Sequence, residues 1–128
     1  MLYSGPMADI LLVDDDAFIH QVLPPHLTAA GHAVTSAMNG PDGFAAARSR
    51  RPDLIILDFE MPGMGGEDVF EQLRRHGAAA DIPVLFLSSL PLNRQVGRVD
   101  MARNVRFLRK PVTAADLLAA VKELLPAA

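Results

Sequence analysis

The chain has 128 residues, half of them hydrophobic, which suits one domain with a sizeable core. Its net charge of -3 gives the surface as a whole no basis for holding nucleic acid. It has no cysteine, which excludes disulfides, a thiolate nucleophile and Cys-ligated zinc, and no stretch nears the roughly 20 apolar residues of a membrane helix. The opening MLYSGPM has neither a basic n-region nor a long apolar h-region, so it is not a signal peptide. Residues 1–7 read as a disordered tail or an appended remnant, and the protein as cytoplasmic.

The first element is Ile10-Leu11-Leu12-Val13, a short aliphatic run of the kind buried on both faces of a sheet. It runs straight into Asp14-Asp15-Asp16. A helix is predicted next, over DAFIHQVLPPHLTAAG, with Pro24-Pro25 in its middle. Two successive residues there donate no backbone hydrogen bond, so a kink or widening is expected, with carbonyls around His20 and Gln21 left without their usual partners. Gly31 is a helix stop, and HAVTSA (32–37) is a second, β-branched strand. NGPDGFAAARSR gives the next helix, with Pro41 suited to a first helical position. DLIILD (53–58) is the third strand. GEDVFEQLRRHG has its acids first, its arginines last and Gly77 as a stop, which suits a helix dipole and C-cap. IPVLFLSS (82–89) is the fourth strand. PLNRQVGRVDMARN (91–104) reads as a short, irregular fourth helix, weakened by Gly97 and by β-branched Val96 and Val99. VRFLRKP (105–111) is the fifth strand, and Thr113-x-x-Asp116 caps a final helix over LLAAVKELL.

Strands alternating with helices imply an α/β fold, a five-stranded parallel sheet with helices on both faces. In such sheets the functional crevice lies at the carboxyl ends of the strands. Read there, the sequence offers Asp14-Asp15-Asp16, Asp58, Ser88-Ser89 and Lys110-Pro111. Two carboxylates about 4 Å apart repel by about 4 kcal/mol at an effective dielectric near 20, so the acidic run calls for a positive partner. Oxygen donors from neighbouring strands suit a hard cation such as Mg²⁺, with Mn²⁺ also acceptable, and Lys110 adds a second positive charge. Asp16 reads as a helix cap rather than a ligand. His20, His26, His32 and His76 have no metal-ligand spacing on a common element, and Met61 and Met64 read as loop and packing residues.

The motifs LLVDDD, LIILDFEMPGMGG, LFLSS and FLRKP, in that order and each after an apolar run, resemble the receiver domain of two-component response regulators over about residues 8–126. The resemblance implies a doubly wound, flavodoxin-like sheet of order 2-1-3-4-5. It makes Asp58 the phosphoacceptor, and it makes Asp14 and Asp15, with Asp58 and the backbone carbonyl of Glu60, the Mg²⁺ ligands. Ser88 is then the hydroxyl that bonds a phosphoryl oxygen, Lys110 the lysine that pairs with the phosphoryl group, and Phe107 the aromatic switch residue that follows Ser88. The Lys110-Pro111 peptide is expected to be cis. The implied partners are a histidine kinase or histidine phosphotransfer protein as donor and an output protein or domain that the sequence does not name. No nucleic acid or membrane is implied, and a phosphorylation-dependent homodimer fits. Arg94, Arg98, Arg103, Arg106 and Arg109 form a candidate basic docking face. In this reading the chain is a signalling phosphoacceptor rather than an enzyme of turnover.

Three alternatives stand beside it. A phosphatase of the haloacid dehalogenase type also uses a strand-end Asp with Mg²⁺, but wants an apolar residue between its two acids and a Thr where Phe18 stands. A flavodoxin-like cofactor binder needs a Ser/Thr/Gly-rich phosphate turn after the first strand, where three aspartates would repel a phosphate. A receiver-shaped scaffold that is never phosphorylated would carry the same fold without the chemistry. The usual Gly-Ala before the fifth strand is absent, with Arg103-Asn104 in its neighbourhood, and Phe107 replaces the commoner tyrosine.

Overall fold

Aliphatic residues on both sides of a strand are stable only when both faces are covered, and the computed structural model shows how this chain covers them. The structure describes residues 8–91 and 104–125. Its strands are β1 (Asp9–Val13), β2 (Ala33–Ala37), β3 (Leu54–Asp58), β4 (Val84–Ser88) and β5 (Val105–Arg109). They form one parallel sheet of order β2-β1-β3-β4-β5, as expected. Side chains alternate between two half-cores. Leu11, Val13, Ile55, Leu57, Val84 and Phe86 face α2 (Gly40–Arg50) and α3 (Gly66–Arg74). Ile10, Leu12, Leu54, Ile56, Leu85 and Leu87 face α1 (Ala17–Ala29) and the last helix (Ala114–Leu124). The central strands β3 and β4 are buried along their full length, while β2 and β5 are part-exposed edges.

Local chemistry sets the helix ends. Asp16 accepts from Phe18 N at 2.9 Å and caps α1. At its other end Gly31, at φ +98°, and His32 donate to Thr28 O and Leu27 O, a Schellman closure that needs the left-handed residue glycine supplies. Helix α1 is continuous through Pro24 and Pro25. The missing donors there are those that His20 and Gln21 carbonyls would have used. Asn39 caps α2, with Pro41 in the second helical position, one later than expected. Helix α3 ends at Arg74 rather than running to Gly77, which instead opens a 3-10 turn over Gly77–Asp81 that the sequence did not suggest. Thr113 Oγ1 accepts from Asp116 N at 3.1 Å, as its motif predicts. Residues 1–7 and nearly all of the expected fourth helix at 91–104, with Arg94, Arg98 and Arg103, lie outside the described residues. Among the described residues no helix is long and apolar enough to cross a membrane.

Candidate functional site

The sheet registers bring the strand ends together. Val13 pairs with Leu57, Asp58 with Leu87 and Ser88 with Arg109. The backbone ladder continues one residue further: Asp14 N donates to Ala37 O at 3.2 Å, Phe59 N to Leu87 O at 2.8 Å and Lys110 N to Ser88 O at 2.8 Å. Asp14, Asp58, Ser88 and Lys110 are therefore fixed by the same hydrogen bonds that hold the sheet. After β3 the chain turns back through Gly63, at φ +74°. Gly66 then opens α3 so close to the strand that an added Cβ would meet Asp58 O at 2.4 Å and Phe59 Cα at 2.8 Å. Helix α3 and the Asp58 strand end are thus locked backbone to backbone.

Asp14 is fully buried and Asp58 nearly so. Such acids need partners. Lys110 Nζ supplies one, 3.1 Å from Asp14 Oδ2 and 3.4 Å from Asp58 Oδ1. Backbone amides supply others: Asp16 N donates to Asp14 Oδ1 at 2.9 Å and Glu60 N to Asp58 Oδ1 at 3.3 Å. Behind the acids, His20 Nε2 lies 2.8 Å from the Asp14 carbonyl, so this histidine braces the β1–α1 turn. The Asp58 carboxyl is pushed up to about 7, first by burial and then by the Asp14 charge, with Lys110 opposing both. Burial alone would lower the Lys110 ammonium, but the Asp58 and Asp14 carboxylates more than offset this and hold it above its ordinary value.

Asp15 is exposed, yet it offers an oxygen to the same spot: ligand atoms of Asp14, Asp15 and Asp58 all lie within 4.8 Å of one another. Three hard oxygen donors at this spacing, two of them buried, fit a divalent cation of the Mg²⁺ or Mn²⁺ kind. Asp16, the third acid of the run, points away to its capping role.

On the β4 side, Ser88 is fully buried and its hydroxyl donates to the Glu60 carboxylate. Glu60 also accepts from Ser89 N at 2.9 Å and Ser89 Oγ at 3.1 Å. Leu90 N donates to Ser88 Oγ at 3.2 Å. The sequence points to Ser89 only as a strand-end neighbour of Ser88 and to Glu60 only for its backbone carbonyl; the carboxylate bridging Ser88 and Ser89 is an addition from the structure. The one signal for it was the placement of Glu60 two residues past Asp58, on the edge that carries Ser88-Ser89. Phe107, on β5, stacks on Phe86 at 4.8 Å and lies 5.8 Å from Phe59, so the aromatic one strand away from Ser88 is packed, only partly buried and hydrogen-bond-free by its nature.

Comparisons with known proteins agree with this architecture. A family model described as the response regulator receiver domain matches residues 10–122. Protein PilH of Pseudomonas aeruginosa is 35% identical over 121 residues, covering 93% of this chain and 98% of that protein. The DNA-binding dual master transcriptional regulator RpaA of Synechocystis sp. is 38% identical over 120 residues, covering 93% of this chain and 49% of RpaA. The chain therefore spans about half the length of RpaA, and 26% of the response regulator PleD of Caulobacter vibrioides. The chemotaxis response regulator CheY4 of Vibrio cholerae has a structure similar to this one, with a TM-score of 0.83 at 32% identity over 94% of this chain and 100% of that one. Matched over nearly its whole length in sequence, and similar in fold to solved members, the chain belongs to the response regulator receiver domains.

Proposed function

We propose that this chain is a phosphorylatable signalling module in which Asp58 takes a phosphoryl group from a phosphohistidine on a histidine kinase or histidine phosphotransfer protein. The observation that carries the reading is the single ammonium of Lys110 between the buried carboxylates of Asp14 and Asp58. An oxygen of Asp58 forms the new O–P bond in line as the P–N bond of the donor breaks, and the electron pair of that bond returns to the imidazole nitrogen. Lys110 neutralises charge on one phosphoryl oxygen, and the Ser88 hydroxyl donates to another once the Glu60 carboxylate leaves it. Asp14, Asp15 and Asp58, with the Glu60 carbonyl, would hold Mg²⁺ or Mn²⁺, which when bound supplies further neutralisation of phosphoryl charge.

Receiver domains are signalling phosphoacceptors rather than enzymes of turnover, and membership in that family leaves the dehalogenase-type phosphatase and the flavodoxin-like cofactor binder without support. Residues 8–126 form the unit in this reading, and it works in the cytoplasm. Ser88 drawn toward the phosphoryl group lets Phe107 turn further inward, and the β5 surface with Arg106 and Arg109 changes shape for an output protein, an output domain or a second copy. Acetyl phosphate with Mg²⁺ is expected to add one phosphoryl group by intact mass, and Asp58→Asn to abolish it. Undiminished labelling of that variant refutes the assignment; no labelling of the native chain by acetyl phosphate or by a phosphohistidine donor favours the unphosphorylated scaffold.

A further inference from the structure

Because each helix returns the chain to the start of the next strand, α2 and α3 both finish at the edge of the sheet opposite the acidic cluster. Between their ends lies a concavity of about 300 Å³, lined by Arg48, Arg51, Arg75, His76, Gly77 and Ala79. Among the described residues no carboxylate lines it. Two other arginines of the same runs are engaged elsewhere. Arg50 lies 3.6 Å from Asp9, and Arg74 covers the Phe70 ring and donates to Ile82 O. Arg48, Arg51 and Arg75 make no ion pair among the described residues.

Two features hold this wall in shape. The Phe44 ring packs against His76 at 5.1 Å and against the Arg48 guanidinium at 5.5 Å, which fixes one side of the concavity. On the other side, Arg51 adopts φ 49° and ψ 65°, the only left-handed conformation of a non-glycine residue among those described. A helix C-cap in that conformation is usually glycine, and a long side chain seldom accepts it. Here the cap carries a guanidinium that lines the concavity. Cationic side chains near a helix C-terminus also complement its dipole. That accounts for arginines near either helix end, but not for three unpaired ones facing a shared hollow.

We propose that this hollow is an anion site that takes a small phosphate-bearing ligand on Arg48, Arg51 and Arg75, with the His76 ring beside it. A phosphate presents three or more charged oxygens, enough for three guanidinium forks, whereas a monocarboxylate presents two. The volume lies at the lower end of ligand pockets, which limits the ligand to about the size of a nucleoside monophosphate.

The test is an amide chemical-shift titration of the full chain, without divalent metal and at constant ionic strength, using inorganic phosphate, AMP and acetate. Saturable shifts are expected for residues 48–53 and 75–82 with phosphate or AMP but not acetate. Tighter binding of AMP would identify a nucleotide source, and equal binding free phosphate. The double variant Arg51→Ala with Arg75→Ala is expected to weaken binding at least about tenfold, as loss of charged hydrogen bonds implies. Its labelling by acetyl phosphate and its melting temperature should stay unchanged. No saturation by about 10 mM, well above a millimolar dissociation constant, overturns the proposal. Equal shifts with acetate, or undiminished binding by the variant, overturn it as well. A variant that only loses stability while binding normally assigns the arginines to the helix dipoles and likewise refutes the site.

Discussion

The Glu60 carboxylate sits on the Ser88 hydroxyl, the group proposed to meet a phosphoryl oxygen. A dianion arriving on Asp58 must displace this carboxylate from Ser88 and Ser89. Relief of about 1 kcal/mol of repulsion corresponds to about a fivefold gain in rate. Glu60→Ala is therefore expected to accelerate labelling by acetyl phosphate about fivefold. Glu60→Gln, which keeps a hydrogen-bond acceptor but loses the charge, should give most of that gain. Time courses by intact mass would measure both, and unchanged rates in the two variants would show that Glu60 is no obstacle.

A raised Asp58 carboxyl makes metal-free stability depend on pH in an unusual direction. Its ordinary value of 3.8 in the unfolded chain lies below its folded value of about 7. Between those values the folded chain holds the extra proton, so stability falls as pH rises through that window, by up to a few kcal/mol. Metal-free protein should melt higher at about pH 5 than at about pH 8, and Mg²⁺ should raise the melting temperature more at the higher pH. In Asp58→Asn the slope in this window should shrink. Lys110, held above its ordinary 10.5, stays charged throughout and does not contribute to it. Melting curves that rise steadily from about pH 5 to about pH 8 without metal would contradict this account.

Removing the ammonium should expose the cost of the acidic cluster. Lys110→Met leaves Asp14 and Asp58 buried and facing each other without their cation. The expected loss at neutral pH is about 2 kcal/mol, reduced from the value for a fully buried pair because Lys110 is partly exposed. Urea unfolding with and without Mg²⁺ would measure it, and Mg²⁺ should restore much of the loss. No loss at all would mean that the carboxylates are already neutralised by protons.

Asp14→Ala with Asp15→Ala should weaken Mg²⁺ binding by more than about tenfold, since one remaining carboxylate holds a strongly hydrated ion poorly. Titration calorimetry would read this. Affinity equal to that of the native chain would place the ion elsewhere.

Gly66→Ala is expected to destabilise the fold by about 2 kcal/mol, because the new methyl meets backbone rather than a movable side chain. The start of α3 must shift away from Asp58, so acetyl phosphate labelling should also slow. Native-like melting and labelling would show that the backbone relaxes there at little cost.

The inner strands were legible as short apolar runs such as Leu54–Leu57, and the edge strands AVTSA and VRFLR, broken by Thr35, Ser36 and Arg106, as β-branched or alternating segments bounded by turn residues. Their ends gave the site directly, since Asp14, Asp58, Ser88 and Lys110 each stand at or just past the end of a strand. Helix caps were equally local: Asp16, Gly31 and Thr113 act within three residues of themselves. What escaped the sequence depends on side-chain direction or on distant segments. Glu60 reaches Ser88 across 28 positions, and nothing in DFEMPG states which way its side chain turns. The arginine hollow joins Arg48 and Arg51 to Arg75 through the packing of two helices. The turn over Gly77–Asp81 replaced a simple glycine stop because Ala79 is buried against the sheet-facing core, a tertiary contact that local propensity does not carry.

The strict alternation of the two half-cores has a consequence for how this chain tolerates change. Within β3, Ile55 and Leu57 serve one face, Leu54 and Ile56 the other. Exchanging one aliphatic residue for another of similar volume costs less than about 1.5 kcal/mol. Deleting a single residue exchanges the faces of every position beyond it and draws Asp58 off the rim. Strand length is thus fixed twice, by face and by reach: a paired deletion in β3 would restore the faces but pull Asp58 back by about 7 Å from its place beside Leu87, so the letters of the sheet can change far more freely than its spacing.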